Sequence, residues 1–247
     1  LVVVGGHTGR HVVDMIENQD GVECIPVWVN SPTRTITTVL ETTIHRQTAF
    51  FEPGPTLSRE DYDKILKTFV EKLHRATVVT FNGTVSDRTA CCLYREMISL
   101  AHQHGILTIL DSHGPELAQG VKAGPYMVKP NMGELEELCG KSLSSDNDVW
   151  KATEKLHRNG IRLVVVSRGA RELFCSYTDE HLIVTPPRIK EVNPVGSGDA
   201  LVAGFAIGLS EKMSLEEMAV LGCAAGAANA MSWDIGHFTR DEVLQLA

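Results

Sequence analysis

No stretch of this 247-residue sequence is built to cross a bilayer; apolar runs such as Leu163–Val166 stop far short of the roughly 20 residues a helical span needs. There is no run of Lys or Arg either. With 23 basic and 31 acidic residues the formal net charge is −8, so the basic patch of a nucleic-acid binder is missing. An anionic ligand must then be held by local devices rather than by a global field. The 6 cysteines never fall in CxxC spacing, and most sit among apolar residues. Reduced, buried thiols in a cytoplasmic protein are expected. His102 and His104 form an HxH with no accompanying ligand cluster, and read as helix-end residues rather than a zinc site. No repeat, low-complexity tract or linker divides the chain, so one domain over 1–247 is expected. No Met and no charged leader precede the strand-like LVVVGG at Leu1, which reads as a chain whose upstream segment is missing.

What is present is ordinary globular material, 43% hydrophobic and 22% charged. Apolar, β-branched runs alternate with amphipathic stretches. Leu1–Val4, Ala76–Phe81, Ile106–Leu110, Tyr126–Lys129 and Arg162–Val166 read as strands. Thr8–Asn18, Thr89–His104, Gly133–Cys139 and Asp146–Asn159 read as helices. Continuous apolar strands separated by helices predict an α/β fold with a mainly parallel sheet covered on both faces. Two regions break the rhythm. Residues 22–51 hold three strand-like pieces without a helix, a pattern expected of a small antiparallel flap. Glu172–Thr185 reads as a hairpin closed at TDE. After Asp199 the pattern is helical, over Ala200–Leu209, Leu215–Ala230 and Thr239–Leu246.

The stretch NPVGSGDALVAGF, Asn193 to Phe205, carries the most chemistry. Gly196 and Gly198 can adopt φ > 0 and let a ligand approach the backbone. The first N–H groups of the following helix lack intrahelical acceptors and make an anion site. A carboxylate at Asp199 beside a bound phosphoryl group is unfavourable unless it takes a proton from an attacking hydroxyl. Ser197 or Asp199 as a simple helix cap is the competing reading. In VKPNMGELEEL, Lys129 offers a cation to a phosphate and Glu134 a carboxylate to hydrated Mg²⁺. Asn131 as a cap with Glu134 as its partner explains those two equally well, but leaves Lys129 unexplained. VVVSRGAREL ends a buried strand at Ser167-Arg168-Gly169, a nucleotide contact or a tight turn.

In this order the segments resemble the ribokinase-type sugar kinases, the pfkB carbohydrate kinase family. Within it they resemble the branch that phosphorylates sugar phosphates, namely 1-phosphofructokinase, tagatose-6-phosphate kinase and minor 6-phosphofructokinase. NPVGSGDALVAGF matches the C-terminal signature. KPNMGEL, VSRGA, FNGTVSD, DSHGPEL and the TRT at Thr33–Thr35 match further segments. The resemblance implies a ribokinase-like three-layer α/β/α fold with a small β-sheet lid. It implies ATP as phosphoryl donor and Mg²⁺ as cofactor. Asp199 would be the catalytic base, and amides at Gly196, Ser197 and Gly198 would stabilise the transferred phosphoryl group. Lys129 and Asn131 would contact ATP phosphates, Glu134 would place Mg²⁺, and Ser167 and Gly169 would line the nucleotide site, with Asn229 near the adenine. Arg34 would grip the substrate's own phosphate, where a guanidinium fork suits bidentate contact, with Gly83 and Thr84 nearby. The family's segment ahead of Leu1 is absent, and Asn82 and Arg168 depart from its pattern. Exposed lid strands would invite a second subunit, so a homodimer is expected.

Three alternatives stand beside this reading. One is a kinase of an unphosphorylated sugar or nucleoside on the same fold. Another is a non-catalytic nucleotide-binding relative. The third is an NAD(P)-binding oxidoreductase, suggested by Gly5, Gly6 and Gly9 between a strand and a helix with Glu23 downstream.

Overall fold

The computed structural model describes the chain except at Thr42, His45, residues 86–89, Asp179 and the side chain of Gln47. The start of the expected helix at Thr89, the Ser86-Asp87 end of FNGTVSD and the Asp179 of the hairpin turn lie outside the described residues. The chain folds as two compact units, one of Leu1–His74 with Val85–Leu93, the other of Arg75–Thr84 with Tyr94–Ala247.

The first unit opens as a βαβ crossover. Strand β1 (Val2–Val4) leads through helix α1 (Gly6–Asn18) to β2 (Pro26–Trp28), which pairs parallel with β1. Of the three pieces expected in a flap, β2 therefore leaves it. The other two form an antiparallel hairpin, β3 (Ile36–Glu41) with β4 (Arg46–Phe51), in register from Ile36↔Phe51 to Glu41↔Arg46. Helix α2 (Arg59–Leu73) completes the unit. Its N-terminus is closed by a capping box, Ser58 with Asp61, and it buries Tyr62, Ile65, Phe69 and Leu73, a stripe at helical spacing.

The second unit is built on a six-stranded sheet of order β10-β9-β8-β7-β6-β5. Strands β5 (Val78–Asn82), β6 (Leu107–Asp111), β7 (Met127–Val128) and β8 (Leu163–Val166) run parallel. Strands β9 (Leu173–Tyr177) and β10 (Glu180–Val184) add an antiparallel hairpin at the β8 side. The parallel strands are joined through helices α3 (Leu93–Gln103), α4 (Gly114–Gly120), α5 (Met132–Cys139) and α6 (Asp146–His157). The chain ends in α7 (Ser197–Glu211), α8 (Leu215–Met231) and α9 (Arg240–Leu246).

Helices α7 and α8 are apolar almost all round, which is what a buried helix needs. Leu201, Val202 and Phe205 of α7 and Met218, Ala219 and Cys223 of α8 join Ile109, Met127, Leu163 and Val165 of the strands in one core. Burial pushes the Cys223 thiol up to about 11, and that of Cys175 on β9 is raised as well. Both stay neutral and inert. The two helices approach closely where neither has a side chain: a Cβ at Gly204 would lie 2.6 Å from the α-carbon of Gly222. Backbone atoms cannot rotate away from it. Gly204→Ala gains about 1 kcal/mol of helix propensity but overpacks the contact at a cost of roughly 1–3 kcal/mol. A net loss of stability in urea unfolding is expected, and a more stable variant would show that the helices separate without penalty.

Candidate active site

The parallel strands β5 to β8 all end on one edge of the sheet, the edge at which open α/β sheets hold ligands. Gly83 and Thr84 follow β5, Asp111 ends β6, Lys129 follows β7 and Ser167 follows β8. Cross-links tie these ends together. Gly83, at φ +77°, donates its N–H to the Asp111 carbonyl at 3.0 Å, and the Ser112 hydroxyl donates to the Gly83 carbonyl at 2.6 Å. Ser167 donates its N–H to the Pro130 carbonyl at 3.1 Å and bridges to Asn131. Gly169 follows at φ +64° in an exposed turn. Arg168 lays its guanidinium over the Phe174 ring, 5.1 Å from the centroid, near Asp146 and Glu172.

Lys129 is nearly buried and pairs with Asp111 at 3.1 Å, the two side chains being 6% and 16% exposed. Such a pair is sheltered from salt screening. Burial raises the Asp111 carboxyl above its usual range; the Lys129 ammonium opposes this, and the negative charges of Asp199 and Glu134 add to it. Three carboxylates therefore share one field with a single ammonium. Asp111 is a site residue that the sequence motifs leave without a role, since it appears there only as the first residue of DSHGPEL. The one signal for it is an acid at the end of an apolar strand.

Helix α5 starts with a full capping box: the Asn131 side chain accepts from the Glu134 N–H at 2.9 Å, and Glu134 Oε2 accepts from the Asn131 N–H at 2.8 Å. The capping explanation of both residues is thus physically realised. It uses one oxygen of Glu134 and leaves Oε1 for another partner. No group of three or more acidic, His or Cys side chains able to cage a metal occurs among the described residues.

Helix α7 brings its N-terminus to this edge. A Cβ at Gly198 would lie 3.6 Å from Lys129 Nζ and 4.0 Å from Asp111 Oδ2. Gly196 is the N-cap at φ +81° and supplies no side-chain cap. The Ser197 N–H donates to the Pro194 carbonyl at 3.2 Å, so it is partly committed. The N–H groups of Gly196, Gly198 and Asp199 have no acceptor among the described residues. The amides left without an acceptor thus include that of Asp199, while the Ser197 amide expected among them is partly committed. Gly198 and Asp199 are exposed, and the Asp199 carboxylate stands on the first turn of α7. Asn229 lies inside, 1% exposed, with its amide bonded to Val195, Ser197 and Gly236.

The glycines at the start of the chain are occupied differently. A Cβ at Gly5 would collide with the carbonyl oxygens of Ser31 and Val29, and one at Gly9 would lie 3.0 Å from Thr33 Oγ1. Gly5 donates to Thr33 Oγ1 at 3.0 Å and Thr33 donates back to the Gly5 carbonyl at 2.9 Å. These glycines admit segment 29–33, not a pyrophosphate, which removes the basis of the oxidoreductase reading. Arg34 directly follows this clasp, within the first unit and ahead of β3.

Residues 1–232 match the family model described as pfkB family carbohydrate kinase. The chain belongs to the pfkB family. Tagatose-6-phosphate kinase of Staphylococcus epidermidis is 30% identical over 242 residues, 97% of this chain and 77% of that protein. Phosphofructokinase-2 from Escherichia coli, solved in complex with potassium, superposes with a TM-score of 0.90 at 28% identity, over 99% of this chain and 79% of that one. Ribokinase of Arabidopsis thaliana, at 19% identity and a TM-score of 0.78 over 100% and 80% of the two chains, shares the fold. The fold is ribokinase-like α/β, with the mostly parallel sheet and the β3–β4 hairpin described above.

For this pfkB-family kinase the two glycines of the signature differ in what they tolerate. Gly198 has an ordinary φ and only van der Waals neighbours, whereas Gly196 combines φ +81° with Ile235 Cγ2 at 2.5 Å from an added Cβ. Gly198→Ala is expected to melt within about 2 °C of wild type, and Gly196→Ala at least about 4 °C lower. Thermal melts of both variants check this, and equal melting points would refute the assignment of strain to Gly196.

Proposed function

We propose that this kinase transfers the γ-phosphoryl group of ATP to a hydroxyl of a small sugar phosphate. The exposed Asp199 carboxylate, on the same helix turn as N–H groups that lack acceptors among the described residues and next in sequence to Gly198, which faces the buried Lys129, carries the reading. The names of the relatives, a tagatose-6-phosphate kinase and a phosphofructokinase, support an acceptor of the fructose 1-phosphate, fructose 6-phosphate or tagatose 6-phosphate type.

Phosphoryl transfer asks a protein mainly for positioning and for stabilisation of charge on the equatorial oxygens. In this proposal Asp199 accepts the proton of the acceptor hydroxyl. The amides of Gly196, Gly198 and Asp199 meet the charge on the transferred group, with Ser197 beside them. Lys129 and Asn131 contact ATP phosphates, and Ser167 and Gly169 line the nucleotide. Glu134, through the oxygen its capping bond leaves over, holds Mg²⁺, which when bound neutralises phosphate charge. A field of three carboxylates around one ammonium favours such a cation. Arg34 is assigned to the substrate's own phosphate, and Gly83 and Thr84 to the same substrate. The β3–β4 hairpin, with Phe50 and Phe51 more than 60% exposed, is assigned the role of a lid and of the contact in a homodimer. No disulfide joins the six cysteines, which fits a cytoplasmic, reducing setting. Among the described residues no helix is long and apolar enough to cross a membrane.

Asp199→Asn is expected to lower turnover by roughly 10²–10⁴ while ATP still binds. Wild-type turnover in that variant would sink the base assignment. An ADP-release screen of wild type against the three sugar phosphates and their unphosphorylated counterparts tests the acceptor class. Activity confined to unphosphorylated sugars or nucleosides would overturn it.

A further inference from the structure

The loop that presents the anion-binding amides is not held by its own helix. Segment 193–197 is stitched to segment 229–236 through two buried asparagine side chains. Asn193, 8% exposed, accepts from the Val195 N–H at 3.1 Å and donates to the Trp233 carbonyl at 2.9 Å. Asn229 donates to the Val195 carbonyl at 2.7 Å and to Ser197 Oγ at 3.1 Å, and accepts from the Gly236 N–H at 2.8 Å. The backbone N–H groups of Val192 and Asn193 both donate to the Ala230 carbonyl. The missing Cβ of Gly196 makes room for Ile235 and Asn229 against the loop.

The partners fix the orientation of the Asn229 amide. A carbonyl oxygen can be met only by its NH₂, and an N–H only by its oxygen. Both amide hydrogens are thus spent inside the protein, and none remains for a purine base. The bond to Ser197 has a further consequence. Because Ser197 Oγ accepts from Asn229, its own hydroxyl hydrogen is left to donate elsewhere. The protein offers it no acceptor among the described residues. A hydroxyl restricted to donation, on the first turn of a helix whose neighbouring amides are also unpaired donors, suits a phosphoryl oxygen.

We propose that Asn229 is a positioning residue that sets the Gly196–Asp199 loop and turns the Ser197 hydroxyl into a donor towards the transferred phosphoryl group, without touching the nucleotide. This deepens the kinase reading and rests on it. A residue in this role acts on the transition state. A contact to adenine acts equally on ADP, ATP and the transition state.

Two variants and two ligands separate these cases. Asn229→Ala removes the amide. Asn229→Asp keeps its shape and the bond from Gly236, but places an acceptor against Ser197 and draws the hydroxyl hydrogen away from the ligand. Binding of ADP, and of ADP with aluminium fluoride as a mimic of the transferring group, is measured for both beside kcat. Asn229→Ala is expected to lose roughly 10- to 100-fold in kcat and a similar factor in affinity for the fluoride complex, with ADP affinity within about twofold of wild type. Asn229→Asp is expected to fall at least as far. Three results would overturn the proposal. ADP affinity falling in step with kcat would restore the adenine contact. A kcat within about twofold of wild type in Asn229→Asp would remove the role altogether. Failure of both variants to fold, read by circular dichroism, would make Asn229 a core residue only. Wild-type protein that binds ADP but phosphorylates neither sugar phosphates nor unphosphorylated sugars or nucleosides would take down the kinase reading and this proposal with it, an outcome distinct from an active wild type with an indifferent Asn229.

Discussion

An anion site made of backbone amides works only if the helix end that carries them is held where the charge develops. In this protein that constraint bears on the first turn of α7, where a Cβ at Gly198 would lie 3.6 Å from Nζ of Lys129, just past the end of β7. The helix is immobilised by its sides. Leu201, Val202 and Phe205 anchor it in the core, and the glycine-to-glycine contact with α8 sets its depth. The turn itself is then spared the need for a conventional cap. Gly196 supplies a left-handed bend and no side chain, and the loop ahead of it is held from behind by Asn193 and Asn229 while the first helix amides stay uncapped. A Ser or Asp cap in the usual manner would satisfy the amides and close the site.

Charge follows the same logic. A protein of net charge −8 that takes anionic substrates gains nothing from its overall field. Around α7 the imbalance sharpens, with Asp111, Asp199 and Glu134 near one ammonium. Burying Lys129 against Asp111 keeps that ammonium fixed, yet the pair as a unit is close to neutral. Among the described residues the amides of Gly196, Gly198 and Asp199 are left without acceptors, while the Lys129 ammonium already has Asp111 as a partner.

Much of this could be read in the chain alone. The parallel strands announce themselves as short β-branched runs, KPNMGEL falls between the end of β7 and the start of α5, and NPVGSGD opens α7, as their composition suggests. Where sequence reasoning fell short, the deciding partner lay far away. Strand β2 looks like part of a flap until β1 pairs with it. Helix α2 hides because its buried stripe, Tyr62, Ile65, Phe69 and Leu73, is thinned by charged neighbours and begins after a Pro-containing loop. Gly5, Gly6 and Gly9 spell a dinucleotide turn locally, but the space they leave is filled by Ser31–Thr33, and no local pattern records that.

Asn229 shows the limit most sharply. In the sequence it is one polar residue in an alanine-rich helix, where an exposed position or a ligand contact are the natural readings. In the fold it is 1% exposed, with both amide hydrogens donated and its oxygen accepting from Gly236. A buried amide left unbonded would cost more than its bonds return, so its retention there demands that all its partners be in place at once. Two of them, Val195 and Ser197, belong to the loop that leads into α7. Asn229 therefore ties the position of segment 193–197 to the packing of α8, and the two become parts of one structural commitment.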